Sequence, residues 1–167
     1  DQNPDQIGIY WDTDYSQTTL VQDPVPGSAT GYLVITDPSV AGGIVGWELC
    51  AEKTGGGFIY SWALSGQAFN LESEPCFSVA LTEPLLPTGN AILLATFQTY
   101  LSTGEPALFH LGPIPSPQGG QMSYIPAADQ RYPIELTTAT GSGPVAQIIS
   151  NAPWVAFNTE ALDFGTR

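Results

Sequence analysis

The chain has 167 residues and a formal net charge of −13, with Lys53, Arg131 and Arg167 its only basic side chains against 16 acidic ones. Nucleic acids and anionic membrane surfaces are recognised by basic faces, so both are excluded as partners. The length suits one domain with a substantial core, and the hydrophobic fraction of 43% is that of a globular protein, but the charged fraction is only 11%, so solubility rests on small polar side chains and exposed backbone.

Residues 1–6 (DQNPDQ) read as a short flexible lead, and a start of this kind fits a mature, already processed secreted protein. Residues 7–12 (IGIYWD) alternate as a strand, with Ile7, Ile9 and Trp11 on one face and Gly8, Tyr10 and Asp12 on the other. Residues 14–30 are polar and carry Pro24, Pro26 and Gly27, which predicts mostly loop. Residues 32–36 (YLVIT) form a buried-type strand that Asp37-Pro38-Ser39 ends with turn chemistry. Residues 44–53 and 58–64 (FIYSWAL) read as a hairpin turned by Gly55, Gly56 and Gly57. Short strands follow over 67–71 and 76–82 (CFSVALT).

Residues 90–101 give the longest strand, apolar on both faces and therefore central. Residues 107–111 are expected to pair with it as a hairpin, and 112–120 (GPIPSPQGG) is a proline-rich loop. Strands over 134–139, 145–150 and 154–158 complete the pattern, with a turn of helix over 159–167. No stretch has the period of an amphipathic helix, and no apolar run approaches the roughly 18 residues of a membrane span. The expectation is all-β: a single β-sandwich or jelly-roll-like domain over residues 7–167, with about 10–12 short strands and little or no helix.

Three segments, IGIYWD, GYLVITDPS and GGIVGWELCAEKTG, carry a resemblance. They resemble a group of uncharacterised secreted bacterial proteins that open with a Gly-hydrophobic-Tyr-aromatic-Asp strand, continue through an Asp/Asn-Pro turn and end near a final arginine. More weakly, they are similar to the cohesin-like sandwich, in which a Gly-Trp-Glu strand follows an Asn/Asp-Pro-Ser turn. Both resemblances imply an extracellular sandwich, and neither implies a catalytic residue.

Cys50 and Cys76 are an even pair in a chain of secreted character, which predicts a disulfide. Alternation puts Cys50 on the face of Glu48 and Glu52, opposite Trp47 and Leu49. The bridge then lies on the less buried face, or a bulge re-aims the strand. Glu48 and Glu52 are about 13 Å apart along a strand, too far for either glycosidase carboxylate geometry. Asp12 and Asp14 are candidate calcium ligands, joined by Asp23 and Asp37 if folding gathers them. No other cofactor is indicated. His110, the only histidine, sits in a strand-like ALFHLG, and no Gly-x-Ser-x-Gly elbow accompanies it. Trp11, Trp47, Trp62, Trp154 and the seven tyrosines have three readings: core packing, a sugar-stacking platform, or a subunit interface.

Two non-enzymatic functions follow. The first is a secreted or cell-surface structural subunit whose partners are copies of itself. Its N-terminal strand would add to a neighbour's sheet, Ile7, Ile9 and Trp11 filling that neighbour's groove and building a pilus-like filament. The same strand equally serves as the first strand of its own sandwich. The alternative function is a cohesin-like or carbohydrate-binding recognition module, with calcium as a candidate ion and a protein or glycan as partner. An exposed aromatic row on one sheet face would favour that alternative.

Overall fold

The structure, a computed structural model, describes residues 3–151. The expected strand over 154–158, with Trp154, and the helical turn over 159–167 lie outside the described residues. Within them the chain forms twelve strands and no helix. In order these are β1 (Gln6–Tyr10), β2 (Thr19–Gln22), β3 (Gly27–Thr36), β4 (Ile44–Gly55), β5 (Phe58–Leu64) and β6 (Ala68–Asn70). There follow β7 (Cys76–Leu85), β8 (Ala91–Leu101), β9 (Ala107–Gly112), β10 (Ser123–Pro126), β11 (Ile134–Glu135) and β12 (Ala146–Ser150). No helix among the described residues is long and apolar enough to cross a membrane.

Two sheets face one another. The first has the order β1-β3-β8-β5. The second has eight strands and is organised around β4. Cys50 pairs with both Cys76 and Gly112, and Glu48 with both Ser78 and Ser123. Strand β7 therefore fills one edge of β4, while β9 and β10 lie end to end along the other. Residues 113–122 are a loop thrown out of what is otherwise one long strand. β6 extends the β7 side; on the other side β11 pairs with β10, and β12 pairs with β9 and leads to β2, which it meets in parallel.

The alternation in the sequence explains the layers. Ile7, Ile9, Leu33, Ile35, Ile92, Leu94, Ala95 and Phe97 of the first sheet meet Trp47, Leu49, Phe77, Phe109 and Tyr124 of the second in one core. Three tryptophans take the packing reading. Trp11 lies edge-on to Phe97 and Phe109, at centroid distances of 5.9 and 5.2 Å, and its Nε1 donates to the carbonyl of Thr18 at 3.0 Å. Trp62 contacts Phe77 and Phe97, and Trp47 contacts Phe77.

Several expectations are corrected. Strand β1 takes the second of its two readings, the first strand of the chain's own sandwich: it pairs antiparallel with β3 from Gln6↔Thr36 to Tyr10↔Tyr32, and Ile7, Ile9 and Trp11 are buried in the chain's own core. Its other edge begins to bridge to the second sheet, where the Ile7 amide donates to Thr137 O at 2.8 Å. The lead is also shorter than 1–6, since Gln6 is in the strand and Asp5 is buried.

The pairings of two presumed hairpins differ. The glycine turn after β4 delivers the chain to the opposite sheet, because β5 pairs with β8. At Gly57 (φ 69°) a Cβ would stand 2.3 Å from the carbonyl oxygen of Tyr100, so this crossing admits only glycine. Likewise β9 pairs with β4 and β12 rather than with β8. β2 and β10 were unforeseen, and β3 begins five residues before the expected strand.

Candidate functional site

The disulfide is formed as expected. Cys50 and Cys76 sit directly opposite one another on β4 and β7, with Cα atoms 4.0 Å apart. It lies on the outer face, in line with exposed Glu48 and Glu52, although Cys50 itself is covered. The first of the two alternatives applies, and no bulge is needed at Cys50.

Asp12 has a local task. Its Oδ1 accepts the amides of Ser16 (2.9 Å) and Gln17 (2.8 Å), and its Oδ2 accepts the Ser16 hydroxyl at 2.6 Å. The Ser16 hydrogen bond is the main reason its carboxyl is held below the usual range. These bonds tie the turn that follows β1. Among the described residues no group of three or more His, Cys, Asp or Glu side chains is placed to hold a metal ion, so Asp14, Asp23 and Asp37 do not gather with Asp12 as a calcium site.

The outer face of the second sheet is organised in rows. One row runs Phe69, Ala80, Gly46, Ile125 across β6, β7, β4 and β10, and is wholly apolar. The next runs Ser78, Glu48, Ser123, Glu135. Ser123 Oγ donates to Glu48 Oε1 at 3.4 Å. Beyond the disulfide, Glu52 faces half-buried His110.

The face is recessed. A depression of about 150 Å³ is lined by Glu48, Ser78, Ser123, Ile125 and Pro133. It is flanked by one of about 790 Å³ at Glu48, Gln118, Ser123 and Glu135, and by one of about 510 Å³ at Val45, Ala80, Leu81 and Ile125. Shared residues make these a continuous trough with an apolar centre, and Phe69, opposite Ala80 on the neighbouring strand, is 62% exposed. Among the described residues its acidic groups face no basic side chain: Lys53 Nζ is turned to the carbonyls of Gly55 and Gly56, and Arg131 pairs with Asp129 at 2.9 Å.

Sequence reasoning picked out Glu48 and Cys50 on this face but missed the rest. β10 is four residues long and β6 three, too short for alternation to register, and the row exists only once four strands are aligned.

No family model matches the sequence, and no curated protein matches it by sequence. Solved structures match it by shape. The sixth cohesin of scaffoldin B from Acetivibrio cellulolyticus, solved in complex with a mutant Cel5 dockerin, superposes with a TM-score of 0.56 at 11% identity over 89% of this chain and 99% of that one. The seventh ScaB type I cohesin from Pseudobacteroides cellulosolvens gives 0.46 at 12% identity, over 90% of this chain and 94% of that one. At such identity the likeness is one of fold, and the chain has the β-sandwich architecture of a cohesin.

Proposed function

We propose that this protein is a non-catalytic recognition module that works outside the cell and binds a partner protein through the outer face of its second sheet. One observation carries the reading: an apolar row, Phe69-Ala80-Gly46-Ile125, runs beside carboxylates that no basic side chain among the described residues offsets, on a recessed face of hydrogen-bonded strands. An apolar centre with a charged rim is the anatomy of a protein interface, and a rim of one sign selects a partner of the other. The partner expected here presents an apolar patch edged by Lys or Arg.

The fold adds analogy, since the cohesin of similar shape was solved with a dockerin bound. The Cys50–Cys76 bridge supports an oxidising, extracellular setting. A catalytic reading finds little to work with: Glu48 and Glu52 point from one strand with the disulfide row between them, and the His110 side chain has no hydrogen-bond partner among the described residues.

The test is capture from the secreted proteins of the source organism, with immobilised wild type, Ala80→Arg and Glu48→Lys. The reading expects a protein held by wild type, weakened roughly 30-fold or more by Ala80→Arg, which puts a cation in the centre of the row. Glu48→Lys should weaken it less, and mainly at low salt. Capture that is indifferent to both substitutions would overturn the assignment of this face.

A further inference from the structure

The first sheet carries a different surface. After β1 the chain reverses through the turn that Asp12 ties, and Tyr15 within it has φ 55°. A tyrosine in the left-handed region is costly and persists where its surroundings over-determine it. Here the consequence is a placed ring. Tyr15 lies over the outer face of the sheet between Tyr10 and Tyr32, with centroid distances of 6.0 and 6.3 Å and tilts of 51° and 58°. Tyr10 and Tyr32 are cross-strand partners of β1 and β3. The Tyr10 ring lies back over Gly8, where a Cβ would stand 2.9 Å from its hydroxyl, so glycine keeps the ring against the sheet.

Beside these rings is an open groove of about 890 Å³ formed by Tyr10, Tyr15, Leu93, Asp14, Asp37 and Asn90. A second depression of about 590 Å³ shares Asp37 and Asn90, and the two run together as an elongated trough. The side chains of Asp14, Asp37 and Asn90 have no hydrogen-bond partner among the described residues, in contrast to Asp12. Asp37 too has a positive φ, of 50°. Burial, chiefly, keeps the Tyr10 hydroxyl protonated above the ordinary tyrosine range, so it is a neutral donor.

The chemistry selects an occupant. Among the described residues the groove has no cationic side chain, which disfavours phosphate, sulfate and uronate groups. Tilted tyrosine faces offer negative π-density to the weakly positive C–H bonds of a pyranose. Unpaired carboxylates and an amide accept and donate hydrogen bonds to hydroxyls in a fixed pattern. The elongated shape suits several linked rings rather than one. We propose that this groove binds a neutral oligosaccharide chain, with Tyr15 and Tyr10 as stacking faces and Asp14, Asp37 and Asn90 as hydroxyl ligands. The site lies on the opposite sheet from the protein-binding face and does not depend on it.

The experiment titrates the full chain with cellohexaose, xylohexaose and mannohexaose by calorimetry, and follows the amide resonances of Asp37 and Asn90. At least one sugar should bind saturably and shift both resonances. Tyr15→Ala should weaken it about tenfold or more. Asp12→Ala, which releases the turn without touching the sugar, should weaken it as well. Phe58→Ala, at the far end of the same sheet face, and Ala80→Arg, on the other sheet, should leave it unchanged. Circular dichroism on each variant confirms its fold, and the wild-type resonance shifts stand independently of any variant. The proposal is overturned by no saturable binding to any of the three sugars, by binding that ignores Tyr15→Ala, or by a groove that takes up a lysine-rich peptide and none of the sugars.

Discussion

At Asp5 the backbone enters the left-handed region (φ 58°) and turns a carboxylate into the sandwich. Oδ1 accepts the Tyr124 hydroxyl at 2.6 Å and the Ser39 amide at 2.9 Å, so one side chain joins the N-terminus to β10 and to the β3–β4 connection. Asp5→Ala strands the Ser39 amide and leaves the Tyr124 hydroxyl only the longer contact to Ser39 Oγ at 3.4 Å, and should cost about 2–3 kcal/mol, read as a lower urea midpoint with unchanged slope. Burial, with the Asp5 hydrogen bond adding to it, raises the Tyr124 hydroxyl well above the ordinary tyrosine range. An unfolded tyrosine titrates near about 10. Above that pH the unfolded chain releases a proton that the folded one keeps, so stability is full below about pH 10 and declines as pH rises toward the folded value. Urea midpoints between about pH 9 and about pH 11 should therefore fall more steeply for wild type than for Tyr124→Phe. The tryptophans give a paired comparison. Trp11 Nε1 has its acceptor, whereas Trp47 Nε1 is buried with no hydrogen-bond partner among the described residues. Trp47→Phe removes an unpaid donor along with ring volume, so it should destabilise by about 1–2 kcal/mol less than Trp11→Phe in the same urea titration. None of this was legible in the sequence: Asp5 stands in a polar lead, and its partners lie 34 and 119 residues away.

Strands were easier to read than their partners. Alternation marks β1, β5 and β8 to within a residue or two, because each buries one face or both and the side-chain period of two follows from the pleat. The same pattern is silent about which sheet a strand joins. A glycine run such as 55–57 serves a hairpin or a crossing between sheets equally well, and the choice depends on whether β8 or β4 is the better neighbour. The Cys50–Cys76 bridge was legible because cysteine counting needs no topology. It clips β7 to β4 over a sequence separation of 26, which stabilises by about 3 kcal/mol in the chain-entropy model. Reduction, or Cys50→Ser with Cys76→Ser, should lower Tm by roughly 6–12 °C, measured by differential scanning calorimetry. An unchanged Tm would mean that the pairing of β4 with β7 holds without the bridge.

For the molecule as a whole, β1 decides between a polymer and a self-contained sandwich. Ile7, Ile9 and Trp11 are at most 9% exposed and contribute about 1.5–3 kcal/mol each. Together that rivals the 5–15 kcal/mol net stability of a typical domain. Deleting residues 1–12 should therefore unfold the chain rather than leave a soluble sandwich that has lost its polymer, as circular dichroism would report. The apolar row and its acidic rim on the second sheet were invisible in the sequence because they assemble from β4, β6, β7 and β10, none of which carries the pattern alone. Hydrogen exchange on the protein with its captured partner tests that face directly. Protection on binding is predicted along β4, β7 and β10, and protection confined to β1, β3, β5 and β8 would contradict it.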